Sequence, residues 1–135
     1  MRVKNFKQFR GKKLIGPFEN VTALVGSNGA GKSTIFEALG FVLATRHRKY
    51  HDNEIHKLRS FGTDSKSEWF VELRLLGSDS GIITLKRGFN EEVEEFMIDS
   101  DKVTKEKYRH FIKKSNLEWS TGFFWLNQST LNHLT

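Results

Sequence analysis

The sequence predicts an α/β chain: a mixed sheet built around a phosphate-binding loop, with an antiparallel β lobe attached. Three observations carry this. Gly26-Ser27-Asn28-Gly29-Ala30-Gly31-Lys32-Ser33-Thr34 fits the pattern of Gly, four residues, Gly-Lys-Ser/Thr. An apolar β-branched run precedes it and a helical stripe follows it. Further along, short alternating segments separated by turn residues read as β-hairpins.

Taken in order, residues 2 to 9 alternate, with Val3, Asn5, Lys7 and Phe9 on one face. That predicts an edge strand ending at Gly11. Gly16-Pro17 marks a turn, and Asn20-Val21-Thr22-Ala23-Leu24-Val25 reads as a short buried strand entering the loop. Behind the loop, Ile35, Ala38, Leu39, Val42 and Leu43 recur at helical spacing between Thr34 and Ala44. The stretch 46–64 is polar, basic and His-rich, a surface excursion with one helical turn at Ile55–Arg59.

The second half opens with a hairpin. Trp69, Val71, Leu73 and Leu75 share one face, Gly77 to Gly81 form the loop, and Ile82 to Arg87 return. Phe96-Met97-Ile98 is a third short strand. Val103 to Lys114 reads as a helix with Thr104 as its N-cap and a stripe of Tyr108, Phe111 and Ile112. Gly122 to Leu126 is apolar and ends at Asn127-Gln128-Ser129.

The loop's chemistry follows from its residue types. Gly26, Gly29 and Gly31 reach backbone angles closed to other residues, so successive N–H groups turn inward as an anion-binding nest. The helix beginning near Lys32 adds its positive dipole end. Lys32 brings a point charge to the β- and γ-phosphates, and the Ser33 hydroxyl is placed to ligate Mg²⁺. The pattern predicts a nucleoside-triphosphate site with Mg²⁺. A plain glycine turn leaves the Lys-Ser pair unexplained.

Composition bounds the rest. A chain of 135 residues with 37% hydrophobic residues and 12 Phe suits one domain with a real core. No apolar run is long enough for a transmembrane helix, and no secretory h-region follows the first charges. The absence of cysteine excludes disulfides and thiolate metal sites. Lys and Arg number 22 against 16 acids, and the excess gathers at residues 1–13, 46–59 and 102–114. Such clusters suit polyanions, or are solvated basic faces.

Three decoys are set aside. Phe96-Met97-Ile98-Asp99 imitates a Walker B strand, but acids crowd it on both sides. His47, His51 and His56 lack a carboxylate pattern around them and read as surface residues. Trp69, Trp119 and Trp125 read as core or interface rather than as base-stacking platforms.

With these elements in place, the chain resembles the N-terminal half of an SMC-type ATPase head, of the RecF/RecN/SMC N-terminal type. The resemblance rests on Val3-Lys4-Asn5-Phe6-Lys7-Gln8-Phe9, on Ile15-Gly16-Pro17-Phe18, on the phosphate loop and on Phe41-Val42-Leu43. It covers nearly the whole chain. The second half is most similar to the third cohesin SMC subunit, through Ile83-Thr84-Leu85-Lys86-Arg87, Val103-Thr104-Lys105, and Phe123 to Gln128 followed by Leu131-Asn132-His133-Leu134. The opening is as close to the first cohesin subunit or to condensin.

The resemblance implies a P-loop NTPase fold, the N-terminal lobe of an ABC-type head, spanning 1–135 and stopping before a coiled coil. It implies that Gln128 is the Q-loop glutamine, a Mg²⁺ ligand alongside Ser33. It implies ATP hydrolysis that needs a signature motif and a Walker B pair from a C-terminal head lobe and a second SMC head. It further implies a kleisin-type partner, DNA, and a place in the nucleus on chromosomes. Two positions depart from the family: the expected active-site arginine falls on His51, and the acetylatable lysine pair falls on Glu92-Val93. Two alternatives stand beside this expectation. One is an SMC-like repair ATPase of the RecF or double-strand-break class, and the other is a non-catalytic nucleotide-gated interaction module.

Overall fold

A computed structural model describes residues 1–19, 21–43, 52–77 and 79–117. Six strands form one sheet: β1 (Arg2–Phe6), β2 (Phe9–Leu14), β3 (Trp69–Leu76), β4 (Ile82–Asn90), β5 (Val93–Ile98) and β6 (Asp101–Val103). Their order is β2-β1-β3-β4-β5-β6, and every neighbouring pair is antiparallel. Two helices, α1 (Lys32–Val42) and α2 (Lys105–Lys114), and a 3₁₀ helix (Asp52–Leu58) complete the described elements.

The opening segment is two strands rather than one. Asn5 takes φ 49° and Lys7 φ 47°, and the β1–β2 register shifts between Lys4 and Phe6. The extra residue of that bulge breaks the strict alternation, so Val3 and Phe6 both reach the core. The chain then doubles back, and β2, not β1, is the edge strand.

The hairpin of β3 and β4 runs in the expected register, from Trp69↔Phe89 to Leu76↔Ile82. Trp69, Val71 and Leu73 point into the core. Gly88 lies where the two strands come closest: a Cβ there would stand 2.3 Å from the Trp69 carbonyl oxygen and 2.5 Å from Phe70 Cβ. The Walker B decoy is a hairpin strand. Phe96 to Ile98 belong to β5, and Asp99 sits in the turn with its Oδ1 accepting from the Thr84 amide at 3.0 Å.

Helix α2 begins as expected, with the Thr104 hydroxyl accepting from the Lys107 amide at 3.2 Å. It buries Tyr108 and Ile112. Of the expected stripe, helix α1 buries Ala38 and Val42, and Leu43 is buried as its C-cap. It also buries Phe41, whose ring lies 5.3 Å from Trp69 and 5.7 Å from Phe6. Its C-terminal carbonyls are held by distant side chains. Arg87 donates to the Phe41 carbonyl at 3.0 Å, and the Tyr108 hydroxyl donates to that of Val42 at 2.5 Å.

One expected element is absent. Residues 21–25 form no strand, and Val21 and Val25 are each 92% exposed. The run has the side chains of a buried strand but, among the described residues, no neighbouring strand to receive its ladder hydrogen bonds. Among the described residues the sheet is therefore antiparallel throughout, and the parallel part expected of a mixed sheet is not among them. Leu58 differs in the other direction: expected on the surface excursion, it is 2% exposed, and its carbonyl accepts from the Lys7 amide at 2.7 Å.

Candidate functional site

The predicted phosphate loop leads into α1, and two of its three glycines take the backbone angles expected of them, whereas Gly26 has no positive φ. Gly29 has φ 82° and Gly31 φ 113°, both in the left-handed region, and Gly31 is the N-cap. Gly31 offers no side chain, so no side-chain hydrogen bond caps α1, and the first turn holds no acid. The first-turn amides of a helix have no intrahelical acceptor, so this end presents donors and positive dipole to whatever anion arrives. The internal bonds of the loop are few: Ala30 N donates to Ser27 O at 3.1 Å and Ile35 N to Gly31 O at 3.0 Å.

The side chains divide into those facing outward and those holding the loop. Ser27, Asn28 and Ser33 are exposed, as are Gly26, Gly29 and Ala30. Lys32 curls over its own loop, its Nζ donating to the carbonyl of Gly26. The ammonium thus meets a backbone carbonyl of its own loop at an exposed position. Thr34 faces the protein and is 5% exposed.

One residue of the β1–β2 turn and the first residue of β2 meet the loop, and neither role was expected from the sequence. Gln8 Nε2 donates to the Gly29 carbonyl at 3.1 Å, and Gln8 Oε1 accepts from the Thr34 hydroxyl at 3.3 Å. The Phe9 ring lies 3.0 Å from where a Gly31 Cβ would stand. The available signal was Gly31 itself, since a glycine before the lysine marks a close approach as well as a turn. Gln128 and His51 lie outside the described residues. Glu92, at one of the two positions expected for the lysine pair, has φ 67° in the β4–β5 turn. Among the described residues no group of three His, Asp or Glu side chains is gathered for a metal.

The family model of the RecF/RecN/SMC N terminal domain matches residues 1–121. The chain belongs to that family. Structural maintenance of chromosomes protein 1 of Caenorhabditis elegans is 30% identical over 99% of this chain, and its counterpart of Schizosaccharomyces pombe is 32% identical over 87%. These SMC relatives are long, and the chain spans 11% of either. Both bear the number 1 and match most or nearly all of the chain, its second half included, so they do not single out the third subunit expected from that half. A solved structure from work on ATP-driven dimerization and DNA stimulated activation of SMC ATPases superposes with a TM-score of 0.80. It covers 98% of this chain and 87% of its own at 21% identity. That likeness shows the fold: the N-terminal P-loop lobe of an SMC ATPase head.

Proposed function

We propose that this chain is the ATP-binding half of an SMC-type, cohesin-like chromosome-organising ATPase, working in the nucleus on chromosomes. The observation that carries the reading is the α1 N-terminus, which has no side-chain cap or first-turn acid and carries Lys32, whose ammonium donates to the Gly26 carbonyl of the loop. A triphosphate fits this donor set. Phosphate oxygens would replace the Gly26 carbonyl as the acceptor for Lys32, while the amides of 29–34 take up their charge. The exposed Ser33 hydroxyl would ligate Mg²⁺, and Gln128 is proposed as a second ligand. When bound, Mg²⁺ supplies charge neutralisation between the β- and γ-oxygens.

Phosphoryl transfer asks mainly for positioning and charge stabilisation. Residues 26–34 supply the cradle; a catalytic carboxylate and an opposing signature motif are proposed to come from a C-terminal head lobe and a second SMC head. The apolar segment 21–25 supports the first of these partners. Val21 and Val25 are exposed strand formers, and a lobe offering parallel strands would cover them. For DNA, the support is the exposed basic face of α2, with Lys107, Arg109, Lys113 and Lys114. A kleisin-type subunit completes the proposed assembly by family analogy.

The test is ATP turnover by the chain with and without a matching C-terminal lobe supplied in trans. Turnover that appears only with the added lobe, and is lost again in Lys32→Ala, supports the reading. Nucleotide binding without turnover, even with that lobe, would favour the interaction module instead.

A further inference from the structure

The turn between β1 and β2 reaches the phosphate loop through one amide side chain. Gln8 spans two parts of that loop, donating to the Gly29 carbonyl at 3.1 Å and accepting from the Thr34 hydroxyl at 3.3 Å. The chemistry fixes the amide's orientation: a carbonyl only accepts, so the nitrogen must face Gly29, and a hydroxyl is left to donate to the oxygen. The same nitrogen would stand 2.9 Å from a Gly31 Cβ, so Gln8 lies directly against the residue that caps α1.

The turn that presents Gln8 is held from every side. Lys7 takes φ 47°, its amide donates to Leu58 O at 2.7 Å, and its ammonium pairs with Glu37 on α1. Ser60 Oγ donates to Phe9 O at 3.0 Å. Asn5 accepts from the Gly11 amide at 2.8 Å and donates to Glu68 O at 3.1 Å. A side chain carried on so fixed a turn transmits the position of the sheet to the loop.

We infer that Gln8 is a positioning residue of the nucleotide site, setting the glycine turn at 29–31 against the first turn of α1. By holding Thr34 inward it leaves the neighbouring Ser33 facing out, and by holding Gly29 it keeps the loop amides aimed at one point. The inference rests on the nucleotide reading, and the two fail differently.

The test measures binding of a fluorescent ATP analogue with Mg²⁺ by the whole chain, wild type, Gln8→Ala and Gln8→Glu. Alongside it come thermal midpoints and hydrogen exchange of the amides 29–34 without nucleotide. Gln8→Ala is expected to weaken binding about three- to tenfold, the scale of one or two hydrogen bonds at an exposed site. Gln8→Glu is expected to lose more, because it sets an acceptor against a carbonyl and a negative charge beside the phosphates. Exchange at 29–34 rises in both variants while the thermal midpoint holds, a local change that a merely structural role would not produce. Wild-type binding and exchange retained in Gln8→Ala would overturn the inference. A wild-type chain that binds no nucleotide would overturn the nucleotide reading itself, and this inference with it.

Discussion

Arg87 on β4 caps the helix that carries the phosphate loop, donating to the Phe41 carbonyl at 3.0 Å from a side chain that is 6% exposed. The same guanidinium pairs with Glu94 at 2.7 Å and lies over the Phe41 ring at 4.3 Å. A cation at the C-terminal end of α1 is favourable to the helix dipole, just as an anion would be at its other end. Replacing Arg87 with Met strands a buried carbonyl and an acid together. It should destabilise the chain by about 2–3 kcal/mol in urea denaturation. Arg87→Lys should recover only part of this, since one ammonium cannot fork between Phe41 and Glu94.

Tyr108 performs the companion task on the next carbonyl. Burial pushes its phenol far above the ordinary value, although the nearby Arg87 charge pulls the other way. It is therefore a neutral donor to Val42 at physiological pH. Tyr108→Phe should cost about 1–2 kcal/mol at neutral pH. The folded-state value is raised, so this contribution is complete below the unfolded value of about 10 and is lost as pH climbs beyond it. The gap between wild type and Tyr108→Phe should narrow in strong alkali.

Glu68 sets a limit on the acid side. Burial alone would raise its carboxyl, but hydrogen bonds from Lys4 at 2.9 Å and Lys86 at 3.1 Å outweigh that and leave it below the ordinary value. A lowered folded-state value makes the contribution complete above the unfolded value of about 4.3, and lost as pH falls through the folded one. Comparing Glu68→Gln with wild type from pH 7 down to pH 3 should show a stability difference that closes only in acid.

Gly88 is there for want of room. Because Trp69 O and Phe70 Cβ would lie 2.3 and 2.5 Å from a new Cβ, Gly88→Ala must push β3 and β4 apart. A loss of about 3 kcal/mol or more is expected, read as a lowered thermal midpoint or a failure to fold. Gly11→Ala serves as the control for crowding: it meets nothing within 4 Å, so its cost should be confined to its left-handed φ of 68°.

How much of this was legible in the sequence depends on whether one residue or two decide the feature. The Thr104 cap and the β3–β4 hairpin are written in local residue types, and each forms as read; in the glycine loop Gly29 and Gly31 take the expected left-handed angles and Gly26 does not. The segment 21–25 shows the limit, since periodicity identifies a strand former but says nothing of whether a neighbouring strand exists to pair with it. The bulge at Asn5 is invisible to alternation because it is the fault in the alternation. Arg87 and Gln8 look like ordinary polar residues until β4 meets the end of α1 and the β1–β2 turn meets Gly29. Their roles are made by contacts across 46 and 21 residues of chain.

The measurement that bears most directly on the central claim is equilibrium binding of ATP with Mg²⁺ to this chain and to Lys32→Ala, followed by calorimetry. Saturable one-to-one binding by the wild type, weakened at least about tenfold when the Lys32 ammonium is removed, is the predicted result. Equal binding by the two proteins, or none by either, would contradict the assignment of residues 26–34 as a nucleotide cradle.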